Sequence, residues 1–245
     1  MNLKALIFDV DGTLADTEQD GHLPACNEAF ATLGYPIRWT WDEFKAMSSI
    51  PGSEPRIRAA LERLVPPLPP KEMDTVAAQL AALKRRLYVE KYVSALPLRP
   101  GVSRLVEEAL RRDVRLAIVS TSGEAHIHAL LRCHLPGAAK YFNPVLGKAA
   151  GQKTAPDSPL YRRCLAELGT APAETLALED SEIGLRAALA AGLPCAVIYN
   201  DYTYGQNFAG ARLVARSLEY FDLDRLAALC LPPSLPLEGS IEEKG

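Results

Sequence analysis

The chain has no run of apolar residues approaching the ~20 that cross a bilayer, so no membrane span is expected. It has no cysteine pair at CxxC spacing. Its five cysteines, Cys26, Cys133, Cys164, Cys195 and Cys230, are scattered and odd in number. That pattern argues against a zinc site or a disulfide framework and fits reduced thiols in a cytoplasm. Positive charge is not in surplus either. The net charge is -3 and no basic stripe stands out, which argues against nonspecific nucleic-acid binding. The first residues lack a basic segment leading into a long apolar one, so they read as a strand rather than a signal peptide. No internal repeat is present. What is there is ordinary for a globular protein: 245 residues, 48% apolar and 23% charged, enough for one large domain or two small ones.

The informative feature lies near the start. The apolar run Ala5-Leu6-Ile7-Phe8 ends in Asp9-Val10-Asp11-Gly12-Thr13. Residues two apart on a strand face the same way, so both acids can reach one pocket where the strand stops. Two anions in one place repel, and such a pair persists only if a cation holds it or one acid stays protonated.

The rest of the chain changes style twice. Residues Leu3 to Val10 read as a buried strand, and from Glu18 to about Tyr92 almost everything reads as helix. One helix carries Asn27, Phe30 and Leu33 and ends at Gly34; a second starts at Trp39-Thr40-Trp41-Asp42; a third runs near Arg56 to Leu64. The proline run at Pro66 to Pro70 breaks it, and a long fourth helix spans Lys71 to about Tyr92. After Pro100-Gly101 strands and helices alternate, which implies a parallel sheet with helices on both faces. The expected fold is therefore α/β, a Rossmann-like core with an inserted helical cap. The expected division is a core of residues 1–15 and 96–230, a cap of 16–95 and a loose tail of 231–245.

Ligands in such sheets sit beyond the carboxyl ends of the strands. Asp9, Asp11, Ser120, Lys153 and Glu179-Asp180 all fall at or near such ends. The inventory is rich in oxygen ligands, with one lysine and one hydroxyl. It suits a hard cation such as magnesium and phosphoryl transfer through a carboxylate nucleophile.

In this order and at these strand ends, the set DxDGT, Ser, Lys, Glu-Asp resembles the haloacid-dehalogenase-like phosphatase superfamily, and the inserted helices resemble its helical cap. The resemblance covers residues 3 to about 215. It implies that Asp9 attacks phosphorus, that Asp11 serves as general acid and then base, and that Ser120, with Thr121 beside it, holds phosphoryl oxygens. It further implies that Lys153 neutralises charge, and that magnesium is held by Asp9, the Asp11 carbonyl, Asp180 and Glu179. Of the acid pair, Asp11 is expected to have the higher pKa. One departure is Thr154, where the family usually has proline after the lysine.

A finer resemblance links the stretch DVDGTLADTE, Gly21-His22, Asn27-Glu28-Ala29-Phe30 and Trp39-Thr40-Trp41-Asp42-Glu43 to the CbbY group, which dephosphorylates xylulose bisphosphate. That group carries a GGKER loop. Here it reads Gly52-Ser53-Glu54-Pro55-Arg56, and a carboxylate at Glu54 counts against a distal phosphate there. The candidate substrate-binding residues are Glu18, for a sugar hydroxyl, His22, Gly52 and Arg56, whose guanidinium can fork around a phosphate. Trp39 and Trp41 read as cap core, and Lys84-Arg85-Arg86 as a solvated helix face.

The leading expectation is a magnesium-dependent phosphatase for a small phosphorylated sugar. The alternative is a sugar phosphomutase of the beta-phosphoglucomutase type, using the same residues, with Thr17 and His22 at compatible positions. A dehalogenase would lack the second aspartate, and a noncatalytic binding module would show a broken acid set. The expected partner is a small phosphorylated metabolite, with neither nucleic acid nor membrane, and the expected state is a monomer.

Overall fold

The computed structural model describes residues 2–231 apart from 48, 49, 51, 65, 67 and 155. The expected tail, apart from Leu231, lies outside the described residues. Six parallel strands form one sheet: β1 (Ala5–Phe8), β2 (Arg115–Val119), β3 (Phe142–Leu146), β4 (Thr175–Glu179), β5 (Cys195–Ile198) and β6 (Leu213–Ala215). Their order is β3-β2-β1-β4-β5-β6. β1, β4 and β5 are buried throughout, as expected of strands covered on both faces. One apolar face packs Leu6, Phe8, Leu116, Ile118, Leu176 and Leu178. The opposite face packs Ile7, Val119, Ala177, Val197, Tyr161 and Leu185. The alternation of Leu6 and Ile7 between faces is the period of two written directly in the sequence.

Helices α1 (Leu23–Thr32), α2 (Trp41–Ala46), α3 (Ser53–Leu61) and α4 (Pro70–Leu87) are inserted after β1. They have a hydrophobic cluster of their own, including Phe30, Trp39, Phe44, Ile57, Leu61 and Leu80. α2 starts where the sequence offers a capping box. Thr40 Oγ1 accepts the Glu43 amide and Glu43 Oε2 accepts the Thr40 amide at 2.8 Å. The core helices are α5 (Val102–Arg111), α6 (Glu124–His134), α7 (Pro159–Leu168), α8 (Glu182–Ala190) and α9 (Leu223–Ala228).

Three local differences from expectation have physical reasons. The long fourth helix ends at Leu87, and Tyr88–Tyr92 continues as a wider π turn followed by a 3-10 turn at Val93–Ala95. A second π turn, Glu18–His22, precedes α1. Such widened turns let side chains be re-aimed without ending a helix. β6 and α9 are too short to produce a readable period. No described helix is long and apolar enough to cross a membrane. All five cysteines are free, and only Cys133 is exposed.

The two connections between cap and core run side by side. Ala15 pairs with Leu98 in an antiparallel bridge, and the Arg99 amide donates to the Leu14 carbonyl at 2.8 Å. The buried Arg99 side chain secures the junction. Its Nη1 donates to Asp16 at 2.7 Å, and its Nη2 donates to the carbonyls of Tyr199 and Arg216 at 2.8 and 2.5 Å. Asp16 is half exposed, so its share is screened by water, while the two carbonyls depend on the guanidinium. Arg99→Met is therefore expected to destabilise the protein by about 2–3 kcal/mol. Asp16→Asn should cost less than about 1 kcal/mol. Urea unfolding of both variants measures the difference.

Candidate active site

The strand order reverses at β1, so the crevice beyond β1 and β4 is where a sheet of this kind opens. Asp9 follows β1, Glu179 ends β4 and Asp180 follows it, Ser120 follows β2, and Lys153 comes from the loop after β3. Register alone makes the first three neighbours, because Phe8 pairs with Leu178. One carboxylate oxygen from each of Asp9, Glu179 and Asp180 lies within 4.8 Å of the others, with all three residues buried. Lys153 Nζ bridges Asp9 Oδ1 at 2.6 Å and Glu179 Oε1 at 2.7 Å.

Small residues make this packing possible. Gly12 has φ +85°, and a Cβ there would lie 2.1 Å from Asp180 Oδ2. A Cβ at Gly184 would lie 1.9 Å from Glu179 Oε2. Ser181 caps α8 by accepting the Gly184 amide at 3.2 Å, which leaves the two preceding acids free of capping duty.

Three buried carboxylates face one ammonium, so the negative charge is in excess. Burial drives the pKa of Asp180 well up, and the neighbouring Asp9 and Glu179 add to it. Burial also raises Asp9, against the pull of Lys153. Burial works against the Lys153 ammonium, yet Asp9 and Glu179 hold its pKa above the ordinary value. A crowded, hard, all-oxygen donor set of this kind fits magnesium, and Asp9, Glu179 and Asp180 are the side chains that would hold it.

Asp11 stands apart from that set. Thr17 Oγ1 donates to its Oδ1 at 2.6 Å, Ser122 Oγ donates to its Oδ2, and His22 Nε2 lies 3.3 Å from Oδ1. Burial opposes its charge, but these donors outweigh burial and hold its pKa below the usual carboxylate range. This reverses the expected order within the pair. The expectation weighed only the repulsion between two anions. Asp11 turns out to collect donors, whereas Asp9 collects carboxylates.

The other expected residues divide. Ser120 is buried, and its Oγ accepts the Ser122 amide at 3.2 Å. Thr121 is exposed, and it is Ser122 that reaches Asp11. Glu18 and His22 sit at the two ends of the π turn. Arg56 Nη1 lies 3.9 Å from Glu18 Oε2, and its Nε donates to the Ile50 carbonyl at 2.8 Å. Gly52, at φ +89°, precedes α3 and is exposed. Glu54 is exposed on the first turn of α3.

Lys84 corrects the sequence reading. It is 2% exposed rather than solvated, and its Nζ reaches His22 Nδ1 at 2.9 Å and Ser53 Oγ at 3.2 Å. Burial pulls its pKa down. Arg85 and Arg86 are exposed as expected. The signal was present: Lys84 follows Ala77, Leu80 and Ala81 at helical spacing, on the buried stripe of α4. Lys84 thus lies behind His22, whose Nε2 faces Asp11. Asn200 was also missed. Its Nδ2 donates to Asp180 Oδ2 at 3.0 Å from a loop without a readable motif.

The family model described as haloacid dehalogenase-like hydrolase matches residues 6–198. The plasmid-borne protein CbbY of Cupriavidus necator is 40% identical over 221 residues, covering 86% of this chain and 84% of the relative. The crystal structure of CbbY from Rhodobacter sphaeroides in complex with phosphate has a TM-score of 0.79 at 35% identity, over 91% of this chain and 99% of that one. A mutant of the same protein in complex with xylulose-(1,5)bisphosphate matches with the same TM-score at 34% identity and the same coverage.

Excess negative charge in the acid set makes a direct expectation. Magnesium should raise the unfolding temperature of the protein by binding the folded state. Asp180→Asn should remove that magnesium-dependent shift while stabilising the metal-free protein by about 1 kcal/mol, since one repelling carboxylate is gone. Thermal unfolding with magnesium and with a chelator reads both effects.

Proposed function

The chain belongs to the haloacid dehalogenase-like hydrolase family and is a phosphoric monoester hydrolase, and from that premise we propose that it releases phosphate from a small phosphorylated sugar through a phosphoaspartate on Asp9. Xylulose bisphosphate is the first candidate substrate, because a CbbY structure similar to this chain holds that compound. The observation that carries the reading is the meeting of Asp9, Glu179, Asp180 and Lys153 in one buried cluster, with Asp11 two residues from the nucleophile and outside it. Residues 16–95 act as the cap over a core of 1–15 and 96–230.

In the proposed first step an Asp9 oxygen forms a bond to phosphorus while the bond from phosphorus to the sugar oxygen breaks. The leaving oxygen takes a proton from Asp11. In the second step Asp11 takes a proton from water, the water oxygen bonds to phosphorus, and the bond to Asp9 breaks. Transfer of this kind needs positioning and countercharge more than covalent chemistry. Lys153 supplies one positive charge at Asp9. Magnesium, when bound by Asp9, Glu179, Asp180 and the Asp11 carbonyl, offsets negative charge on these acids and on the phosphoryl oxygens. Ser120 and nearby backbone amides hold those oxygens.

Asp11 needs a proton before it can act as an acid, yet its donors favour the ionised form. His22 Nε2, 3.3 Å away, is the group placed to exchange a proton with it. Glu18 and Arg56 receive the part of the substrate remote from the reacting phosphorus. The exposed position of Glu54 places its charge in water, where screening limits repulsion of a distal phosphate.

Purified protein with magnesium is expected to release inorganic phosphate from a pentulose bisphosphate at the rate at which the substrate disappears. Asp9→Asn should reduce that release below detection, and undiminished turnover by this variant would end the mechanism. Consumption of the substrate without free phosphate would instead mark a mutase. Arg56→Ala is expected to lower kcat/KM about 10- to 100-fold for a bisphosphate and much less for a monophosphate, because a charge-assisted contact to the distal phosphate is lost. Parallel kinetics on the two substrates would reveal the contrast.

A further inference from the structure

The loop after β5 links the acid cluster to the cap. While Asn200 Nδ2 holds Asp180, Asn200 Oδ1 accepts the amides of Tyr202 and Thr203 at 2.8 and 3.1 Å. The loop's position is thus tied to the metal-binding end of the site. Tyr202 then leaves the core and packs into the cap. Its ring centroid lies 5.7 Å from that of Trp41 and 6.4 Å from that of Phe44, both on α2. The Arg56 guanidinium lies 5.3 Å from the centre of the same Phe44 ring.

Two buried polar atoms in this neighbourhood make no close hydrogen bond to a described residue, although the Arg56 guanidinium lies near both. They are the buried hydroxyl of Tyr202 and the buried Oε2 of Glu18. Burial without a hydrogen bond costs free energy, and a native protein that keeps such atoms generally has a use for them. Glu18 and Tyr202 both line a cavity of about 470 Å³ that reaches Gly12, beside Asp180, at one end and runs along the cap–core junction at Arg99 and Arg216. Burial pushes the Tyr202 pKa up to about 12, Glu18 adds to the rise and Arg56 opposes it, so the phenol keeps its proton at neutral pH and can donate.

We propose that Tyr202 determines specificity: its hydroxyl donates a hydrogen bond to an oxygen on the part of the sugar phosphate remote from the reacting phosphorus, while Glu18 accepts one from a hydroxyl of the same part. The inference rests on the sugar-phosphate reading above and adds a core residue to a recognition surface otherwise built from the cap. Because Glu18 and Arg56 come from the cap and Tyr202 from the core, the recognition set is complete only when the two halves meet. Substrate discrimination is thereby coupled to closure.

The test compares wild type with Tyr202→Phe on a pentulose bisphosphate and on p-nitrophenyl phosphate, whose aryl group brings no distal oxygen for Tyr202 to reach. Phenylalanine keeps the ring packed against Trp41 and Phe44, and a thermal unfolding curve checks that it does. The expected result is a fall in kcat/KM that is at least 10-fold greater for the sugar phosphate than for the aryl phosphate. The double variant Tyr202→Phe with Glu18→Gln should lose less than the product of the two single losses, because both act on one ligand. Equal losses on the two substrates, or none on either, would overturn the role of Tyr202 while leaving the phosphatase reading intact. Failure of the wild type on every sugar phosphate, with the aryl phosphate cleaved, would instead overturn the substrate class and this inference with it.

Discussion

Asp9, Glu179 and Asp180 are buried with their carboxylates close together, and the Lys153 ammonium bridges Asp9 and Glu179. Like charges so close would scatter on a flexible scaffold. Here each is fixed at the end of a strand whose register is set by the hydrophobic alternation of the sheet. Gly12 and Gly184 allow the approach, since a single added carbon at either would collide with a carboxylate. The sheet therefore holds its acids in an arrangement that is unfavourable until positive charge arrives. The same arrangement then has charge, position and burial suited to a phosphoryl group.

The core of this site was legible in the sequence because it obeys short-range rules. Asp9 and Asp11 are two apart at a strand end, and Glu179-Asp180 follow a second buried strand. Neither inference needed long-range contacts. The residues that were missed depend on such contacts. Lys84 belongs to the buried face of α4, but three consecutive basic residues read as a solvated surface, and only the spacing from Leu80 separates Lys84 from its neighbours. Asn200 and Tyr202 lie on a loop, where no periodicity reports which way a side chain turns. The pKa order of Asp9 and Asp11 was reversed for the same reason. It is decided by Thr17, Ser122 and His22, and two of those three donors come from the inserted segment.

The cap and the core thus exchange parts. The inserted segment supplies two of the three donors around Asp11, Thr17 and His22, with Lys84 behind His22. The core, in turn, sends Tyr202 into the aromatic cluster of α2. Neither half carries a complete set of functional groups. An insertion that merely covered the cleft would exclude water, but it would not tune the acid beneath it.

The antiparallel pairing of Ala15 with Leu98, secured by Arg99, has a mechanical consequence. Both ends of the inserted segment leave the core from adjacent points, so they share one pivot. Sliding would shear the paired chains, whereas swinging only bends them. A rotation about that junction would carry Glu18, His22 and Arg56 together relative to Asp9.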